Sequence, residues 1–272
     1  MQPLTALSIA GSDSGGGAGI QADIRSFNAF GVHATTAITA ITAQNTRGVF
    51  DVVALPPDII EAQIRVVCGD FDVKAVKTGM LAQAVSVERV SSLAREGLLP
   101  HLVVDPVLVS TSGQVLMEEG GVDAYREALF PFAEVVTPNL REAAVLCEVD
   151  FGDVKSLDDV EQLARRVLAM GPRYVLVKGG HPLATSREAD APDLLVSDEG
   201  LVVFDALRVD TSNDHGTGCS LSSALAAGLA LGRTVNDATR DAKSFVLAAL
   251  ISASTWRLGG GRGPIDHLGW GE

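Results

Sequence analysis

The sequence predicts an α/β protein with a mostly parallel central sheet covered by helices on both faces. Three observations carry this. Short apolar runs of strand length alternate with helical patterns along almost the whole chain. No long polar linker and no internal repeat interrupts that alternation, so one domain spanning 1–272 is expected. Polar and glycine residues gather directly after the apolar runs, where open α/β sheets bind ligands.

Residues 4–10 read as a buried strand, and Gly11-Ser12-Asp13-Ser14-Gly15-Gly16-Gly17 as the loop after it. Helix follows over 18–30, with Ile20, Ile24, Phe27, Ala29 and Phe30 near helical spacing. A second strand, rich in Thr and Ile, covers 32–43, and a short one 51–54. Pro56-Pro57-Asp58 opens a helix whose apolar face carries Ile60, Ile64, Val67 and Cys68; proline suits the first turn, where its missing N–H has no partner to lose. Strand 73–76, helix 84–97 and strand 102–104 come next. They are followed by strand 133–136, helix 139–148, helix 157–170 and strand 174–177. Runs 194–196 and 201–204 pair as a hairpin around Ser197-Asp198-Glu199-Gly200. A small-residue helix runs from about Ser220 to Gly232. The last helix starts near Thr234, with Asp237 three residues on as an approximate capping box and Ala238, Ala242, Phe245 and Ala249 as its face. Residues 259–272 form a Gly-rich tail.

Composition narrows the partners. Of 272 residues, 47% are hydrophobic and 20% charged, a globular balance. A net charge of −13 disfavours duplex nucleic acid and anionic membrane alike. The first six residues lack the basic and apolar regions of a secretory signal, and no apolar run reaches membrane-spanning length. Cys68, Cys147 and Cys219 are far apart and form no CxxC pair, which fits a reduced, cytoplasmic protein without a disulfide framework.

The strand ends hold the chemistry. Asn213-Asp214-His215-Gly216-Thr217-Gly218-Cys219 stands at the mouth of the small-residue helix, where unpaired N–H groups and the helix dipole favour an anion. Asp105, Thr137, Asn139 and Glu142 put oxygen donors at neighbouring strand ends, and hard oxygens suit Mg²⁺; turn and helix capping explain the same residues equally well. Lys178 ends an apolar strand and either neutralises phosphate or is solvated. Cys219 is either packing or a thiol whose pKa the helix start lowers, and with Asp214 and His215 beside it a cysteine hydrolase is a further reading. No GxxxxGK[ST] is present, and Gly15-Gly16-Gly17-Ala18-Gly19-Ile20 fails the dinucleotide pattern at its last position.

These residues carry a family resemblance that covers nearly the whole chain. Residues 10–23 (AGSDSGGGAGIQAD), 39–46 (TAITAQNT), 77–81 (KTGML), 104–107 (VDPV) and 137–143 (TPNLREA) bear it, together with Lys178-Gly179-Gly180-His181, the Asn213–Cys219 stretch and Gly263-Pro264. The chain resembles the ribokinase-like hydroxymethylpyrimidine/phosphomethylpyrimidine kinases of thiamine biosynthesis. The resemblance implies a three-layer α/β/α sandwich and two successive ATP- and Mg²⁺-dependent phosphorylations of 4-amino-5-hydroxymethyl-2-methylpyrimidine. It also implies a homodimer. Gln44 would hydrogen-bond the aminopyrimidine, with Gly11, Asp23 and Met80 lining its pocket. Asp105 and Glu142 would serve the metal, and Asn139, Thr137 and Lys178 the nucleotide phosphates. Gly216, Thr217, Gly218 and Cys219 would form the catalytic anion hole. Ribokinase relatives usually carry aspartate as the base where Cys219 stands, so a depressed thiol pKa is expected to let the cysteine serve instead. A pyridoxal kinase of the same fold and a non-catalytic nucleotide or pyrimidine sensor are the alternatives.

Overall fold

Six strands run parallel through the middle of the sheet in a computed structural model that describes residues 2–108, 117–179 and 191–271. In chain order the strands are β1 (Thr5–Asp13), β2 (His33–Asn45), β3 (Gly48–Ala54), β4 (Val73–Thr78) and β5 (Leu102–Val104). They continue with β6 (Val135–Val136), β7 (Tyr174–Val177), β8 (Asp193–Ser197) and β9 (Gly200–Phe204). The sheet order is β3-β2-β1-β4-β5-β6-β7-β8-β9. β3 closes one edge antiparallel to β2, and the β8–β9 hairpin closes the other.

Alternate strand residues face opposite layers because side chains in a strand point up and down by turns. Leu7, Ile9, Val76, Leu102, Val104, Val136, Val175 and Val177 enter one apolar cluster. Their neighbours Ala6, Ala75, Val103, Val135 and Leu176 enter the other. The first cluster is covered by α2 (Pro57–Asp70), α3 (Ala84–Arg95), α4 (Gly121–Ala124), α5 (Leu140–Leu146) and α6 (Leu157–Leu168). The second is covered by α1 (Gly19–Ala29), α7 (Thr217–Ala230) and α8 (Val235–Ala253). This is the expected three-layer α/β/α sandwich. At about 1.5–3 kcal/mol for each fully buried large aliphatic side chain, these two clusters supply the main force that holds the layers together.

The order β2-β1-β4 places a topological switch between β1 and β4, since the chain leaves β1 toward one edge and resumes at β4 toward the other. Crossover helices therefore lie on opposite faces there, and a crevice opens beyond the carboxyl ends of β1 and β4.

Several boundaries differ from the sequence reading. β1 continues to Asp13 because Ser12 and Asp13 pair with Ile41 and Thr42, although Gly11-Ser12-Asp13 has loop composition. β2 likewise reaches Asn45 through pairing with β3. The turn of α4 and the wider and tighter turns that continue it to Phe132 were not anticipated. The Gly-rich tail is partly inside the protein: Ile265, Asp266 and His267 are buried, and His267 Nε2 meets Ser220 Oγ at 2.7 Å. At α8, Thr234 accepts from the Asp237 N–H, but the Asp237 carboxylate accepts from the Thr234 hydroxyl, so the reciprocal half of a capping box is missing.

Candidate active site

Helix α7 begins at the sheet's switch point with Gly216 as its N-cap, at φ 85° and with no side-chain cap. A left-handed φ suits glycine, and here a Cβ would also collide with the Gly17 carbonyl. Ser220 N–H bonds Gly216 O, and Thr217 N–H reaches Asp214 O at 3.4 Å. Among the described residues, the Gly218 and Cys219 N–H groups have no backbone acceptor. Two unpaired donors at the positive end of a 14-residue helix make an anion cradle.

Lys178, from the end of β7, stands over this cradle. A Cβ on Gly218 would lie 3.2 Å from Lys178 Nζ. The ammonium pairs with Asp105 Oδ1 at 2.7 Å. Thr137 Oγ1 lies 3.4 Å from the same oxygen, and Ser222 Oγ 3.2 Å from Asp105 Oδ2. Burial pulls the Lys178 pKa down, but Asp105 and Glu142 outweigh it and the pKa is raised, so the lysine keeps its charge. Gly180 and His181, the end of the Lys178 motif, lie outside the described residues.

Asn139 and Glu142 form a capping box at the start of α5: Asn139 Oδ1 accepts from Glu142 N at 2.9 Å, and Glu142 Oε2 from Asn139 N at 2.8 Å. The capped Glu142 also lies within electrostatic reach of Asp105 and Lys178. Burial, with Asp105 adding to it, pushes the Glu142 carboxyl up to about 7 despite the pull of Lys178. Among the described residues no group of three or more His, Cys, Asp or Glu could hold a metal by itself. Asp105 and Glu142 fit Mg²⁺ as a hard-oxygen pair, with phosphate and water supplying the other ligands.

Asp23 does not line an open pocket, contrary to expectation. It is fully buried, and its carboxylate takes Lys77 Nζ at 2.8 and 3.0 Å, Ser223 Oγ at 2.6 Å and Ser8 Oγ at 2.5 Å. Four donor contacts on one carboxylate balance the burial of both charges. Burial lowers the Lys77 pKa, but Asp23 and Asp105 more than reverse this, so Lys77 keeps its charge. The network lies beneath Cys219 and loads that spot with charge.

Gly11 and Met80 come together near the ends of β1 and β4, and Gln44 stands near the end of β2. A Cβ on Gly11 would stand 2.5 Å from Met80 Cε, so glycine here makes room for the methionine. Met80 packs with Ala40 and Ala82 as an apolar wall, and its carbonyl accepts from Thr39 Oγ1 at 2.6 Å. The Gln44 amide lies 3.2 Å from Thr42 Oγ1 and 3.1 Å from His215 Nε2. His215 Nε2 is also 2.9 Å from Asp13 Oδ2. The Asp13 carboxylate in turn accepts from the N–H groups of Gly15, Gly17 and Ala18 at 2.8, 3.0 and 2.8 Å. The triple-glycine loop is therefore a turn wrapped on its own carboxylate. Burial raises the Asp13 pKa, yet His215 and these N–H groups outweigh it and lower it.

Cys219 departs from expectation. Burial pushes its thiol up to about 11, with Asp105 and Asp23 adding to the rise and Lys77 and the Gly19 N–H opposing it. The helix start does not win, because burial outweighs it and two carboxylates add to the rise. The hydrolase reading also lapses: His215 is bound to Asp13 and Gln44, and Asp214 is paired with Arg262. Sequence reasoning missed Asp13, Lys77, Ser222, Ser223 and the partners of His215. Lysine inside an apolar strand, and adjacent serines one turn into α7, were the available signals.

The phosphomethylpyrimidine kinase family model matches residues 13–266. A hydroxymethylpyrimidine/phosphomethylpyrimidine kinase from Rhizobium meliloti is 47% identical over 266 residues, covering 97% of this chain and 96% of the relative. A phosphomethylpyrimidine kinase structure from Clostridium difficile superposes with a TM-score of 0.78 at 37% identity, covering 91% of this chain and 99% of that one. An ADP complex of Bacillus subtilis pyridoxal kinase superposes with a TM-score of 0.87 at 36% identity, covering 98% of each. An anion cradle at a sheet switch point, a lysine–carboxylate pair above it and a match over nearly the full length agree: the chain is a kinase and belongs to the phosphomethylpyrimidine kinase family.

Proposed function

We propose that this kinase moves the γ-phosphoryl group of ATP to the hydroxymethyl oxygen of 4-amino-5-hydroxymethyl-2-methylpyrimidine, and then phosphorylates the monophosphate to the diphosphate, in thiamine biosynthesis. The observation that carries the reading is the α7 start, where the Gly218 and Cys219 N–H groups are unpaired directly beneath Lys178. The family match and the R. meliloti relative support the substrate, and the ADP complex of the B. subtilis neighbour supports the nucleotide.

Phosphoryl transfer asks for alignment and charge neutralisation more than for covalent help. Gly216, Thr217, Gly218 and Cys219 cradle the transferring group, and Lys178 balances its charge. Thr137 and Asn139 stand at the phosphate side. Gln44 reads the aminopyrimidine edge, since an amide both donates and accepts, while Gly11 and Met80 wall the ring. Asp23 acts from below by holding Lys77. Mg²⁺, held by Asp105 and Glu142, would draw charge from the phosphate oxygens. The Cys219 sulfur accepts the substrate proton as the thiolate, a form that burial disfavours and Lys77 beneath it favours.

We read residues 1–272 as one kinase domain, working as a cytoplasmic homodimer without nucleic-acid or membrane partners; no described helix is long and apolar enough to cross a membrane. A second reading, pyridoxal kinase, is favoured by the superposition on the B. subtilis enzyme. A coupled ADP-release assay with the pyrimidine alcohol, its monophosphate and pyridoxal, each alone, decides. Turnover of both pyrimidines is expected; turnover of pyridoxal alone would replace this reading with the second.

A further inference from the structure

Gln44 is held by a chain of hydrogen bonds that the phosphoryl-transfer reading does not use. His215 Nε2 lies 2.9 Å from Asp13 Oδ2 and 3.1 Å from the nearer end of the Gln44 amide, nominally its nitrogen. The other end of the amide is 3.2 Å from Thr42 Oγ1, and Thr42 Oγ1 is 3.0 Å from the Ser12 carbonyl. His215 is itself pinned: its N–H bonds Gly263 O, and a Cβ on Gly17 would collide with its ring.

Counting protons orients the amide. Asp13 is ionised: burial raises its pKa, but His215 and the Ala18 and Gly15 N–H groups hold its carboxyl below the ordinary range, and the Gly17 N–H donates to the same carboxylate at 3.0 Å. A carboxylate only accepts, so His215 Nε2 must carry the proton that lies between them. That nitrogen then has no lone pair for an amide N–H. The Gln44 atom facing it is therefore the carbonyl oxygen, which shares the one Nε2 proton with Asp13 Oδ2 in a three-centre bond, and the amide is turned over from its nominal orientation. The other end agrees. Thr42 gives its one proton to the Ser12 carbonyl, so it can only accept from Gln44, and the Gln44 NH₂ donates to it.

We infer that His215, locked by Asp13, is a positioning residue that fixes the Gln44 amide in one orientation and thereby sets selectivity for a 4-amino over a 4-oxo pyrimidine. The inference rests on the proposed role of Gln44 as reader of the ring edge. With its oxygen tied to His215 and its nitrogen to Thr42, the amide keeps one lone pair and one N–H free. A 4-aminopyrimidine offers the complement, an amino donor beside a ring-nitrogen acceptor. A 4-oxo pyrimidine offers the reverse, an acceptor beside N3–H. A free amide would rotate by half a turn to suit either. A locked one meets the oxo ring with two like groups facing, and leaving paired polar groups unsatisfied is what gives such sites their discrimination.

The test compares kcat/KM for the 4-amino alcohol and its 4-oxo analogue in the full-length protein, His215→Phe, His215→Gln and Thr42→Val. Phenylalanine keeps the ring and removes the donor, glutamine returns an N–H, and valine frees the amide from its other end without touching the Asp13 turn. The amino-to-oxo ratio is expected to fall about tenfold or more in His215→Phe and Thr42→Val, mostly through KM, and to recover in part in His215→Gln. A ratio within twofold of wild type in both, with the wild type active on the amino alcohol, overturns the lock and leaves the proposed function standing. A wild type that releases no ADP with either pyrimidine overturns the proposed function and, with it, selectivity at this edge. A readout independent of turnover is the ¹⁵N spectrum of His215: protonation at Nε2 is expected, and a bare Nε2 overturns the inference whatever the kinetics.

Discussion

Two glycine-rich turns meet in this protein and do opposite things. Gly15-Gly16-Gly17 follows β1, and Gly216-Thr217-Gly218 opens α7; the two touch where Gly216 packs on the Gly17 carbonyl. Each presents backbone N–H groups to one spot. In the first, Asp13 fills that spot with its own carboxylate and accepts three of them. In the second, no side chain caps the helix, and Lys178 stands beside the open donors. The first turn is an anion site that the chain satisfies internally, so it is structural. The second leaves its donors to an external anion, which supports its proposed role as the phosphoryl cradle. Glycine content alone does not separate the two; the source of the acceptor does.

That contrast can be broken at its functional end first. Cys219→Ala is expected to lower kcat by about 10³-fold, in the range typical of losing an acid–base group, with ATP binding within about twofold by calorimetry. Near-normal turnover would remove the thiol from the mechanism. Because burial pushes the wild-type thiol up to about 11, its thiolate fraction grows as pH rises below that value, so kcat should climb between neutrality and pH 9 and the variant should lose the climb. A flat wild-type profile would mean that no thiolate is needed.

Gly216→Ala is next. It places a Cβ at φ 85° against the Gly17 carbonyl and moves the cradle. Loss of well-placed donors should cost about 10²-fold in kcat, read in the same assay. Activity within threefold of wild type would show that the cradle does not hold the reacting group.

At the structural turn, Asp13→Ala should act on stability. It orphans three backbone N–H groups and His215, and about 2–4 kcal/mol is expected from urea unfolding. The folded carboxyl has a lowered pKa, so its contribution is present above the ordinary value of 3.8 and fades as pH falls below it. The variant should therefore approach wild type in acid, and a gap that stays constant with pH would separate the effect from the charge.

Glu142 behaves with the opposite sign. Its folded pKa of about 7 stands above the ordinary value of 4.5, so between these pH values the folded state holds a proton that the unfolded chain has lost. Tm of the ligand-free protein should drift down as pH rises through this window, and Glu142→Gln, which preserves the helix cap, should flatten that part of the profile. The smallest effect is expected at Gly15→Ala, where the added Cβ lies 3.2 Å from both Asn45 Cα and Asp13 Oδ1. A loss near 1 kcal/mol with kcat nearly unchanged would confirm that the first turn is scaffold; a large kcat loss would blur the distinction between the turns.

Much of this was legible in the residues. Strands 102–104 and 174–177 coincide with β5 and β7 because a fully buried strand is an apolar run with abrupt ends. The edge hairpin was legible from its polar turn. The oxygen donors, Lys178 and Gln44 were legible because they follow strand patterns, whose ends a parallel sheet delivers to one side, and the Gly216–Cys219 stretch because it opens a small-residue helix. Local patterns decided those things: the layered fold, the side of the sheet that binds, and the residue types gathered there. The burial of Asp23, the raised Cys219 pKa and the buried part of the Gly-rich tail escape the sequence for one shared reason. Each depends on what lies beside a residue from a distant part of the chain. Asp23 meets Lys77 and Ser223, Cys219 meets Asp23 and Asp105, and His267 meets Ser220. The tertiary structure alone settled which carboxylate is spent on holding the protein together and which remains for a ligand, because charge and hydrogen bonding act across space and leave no period in the sequence.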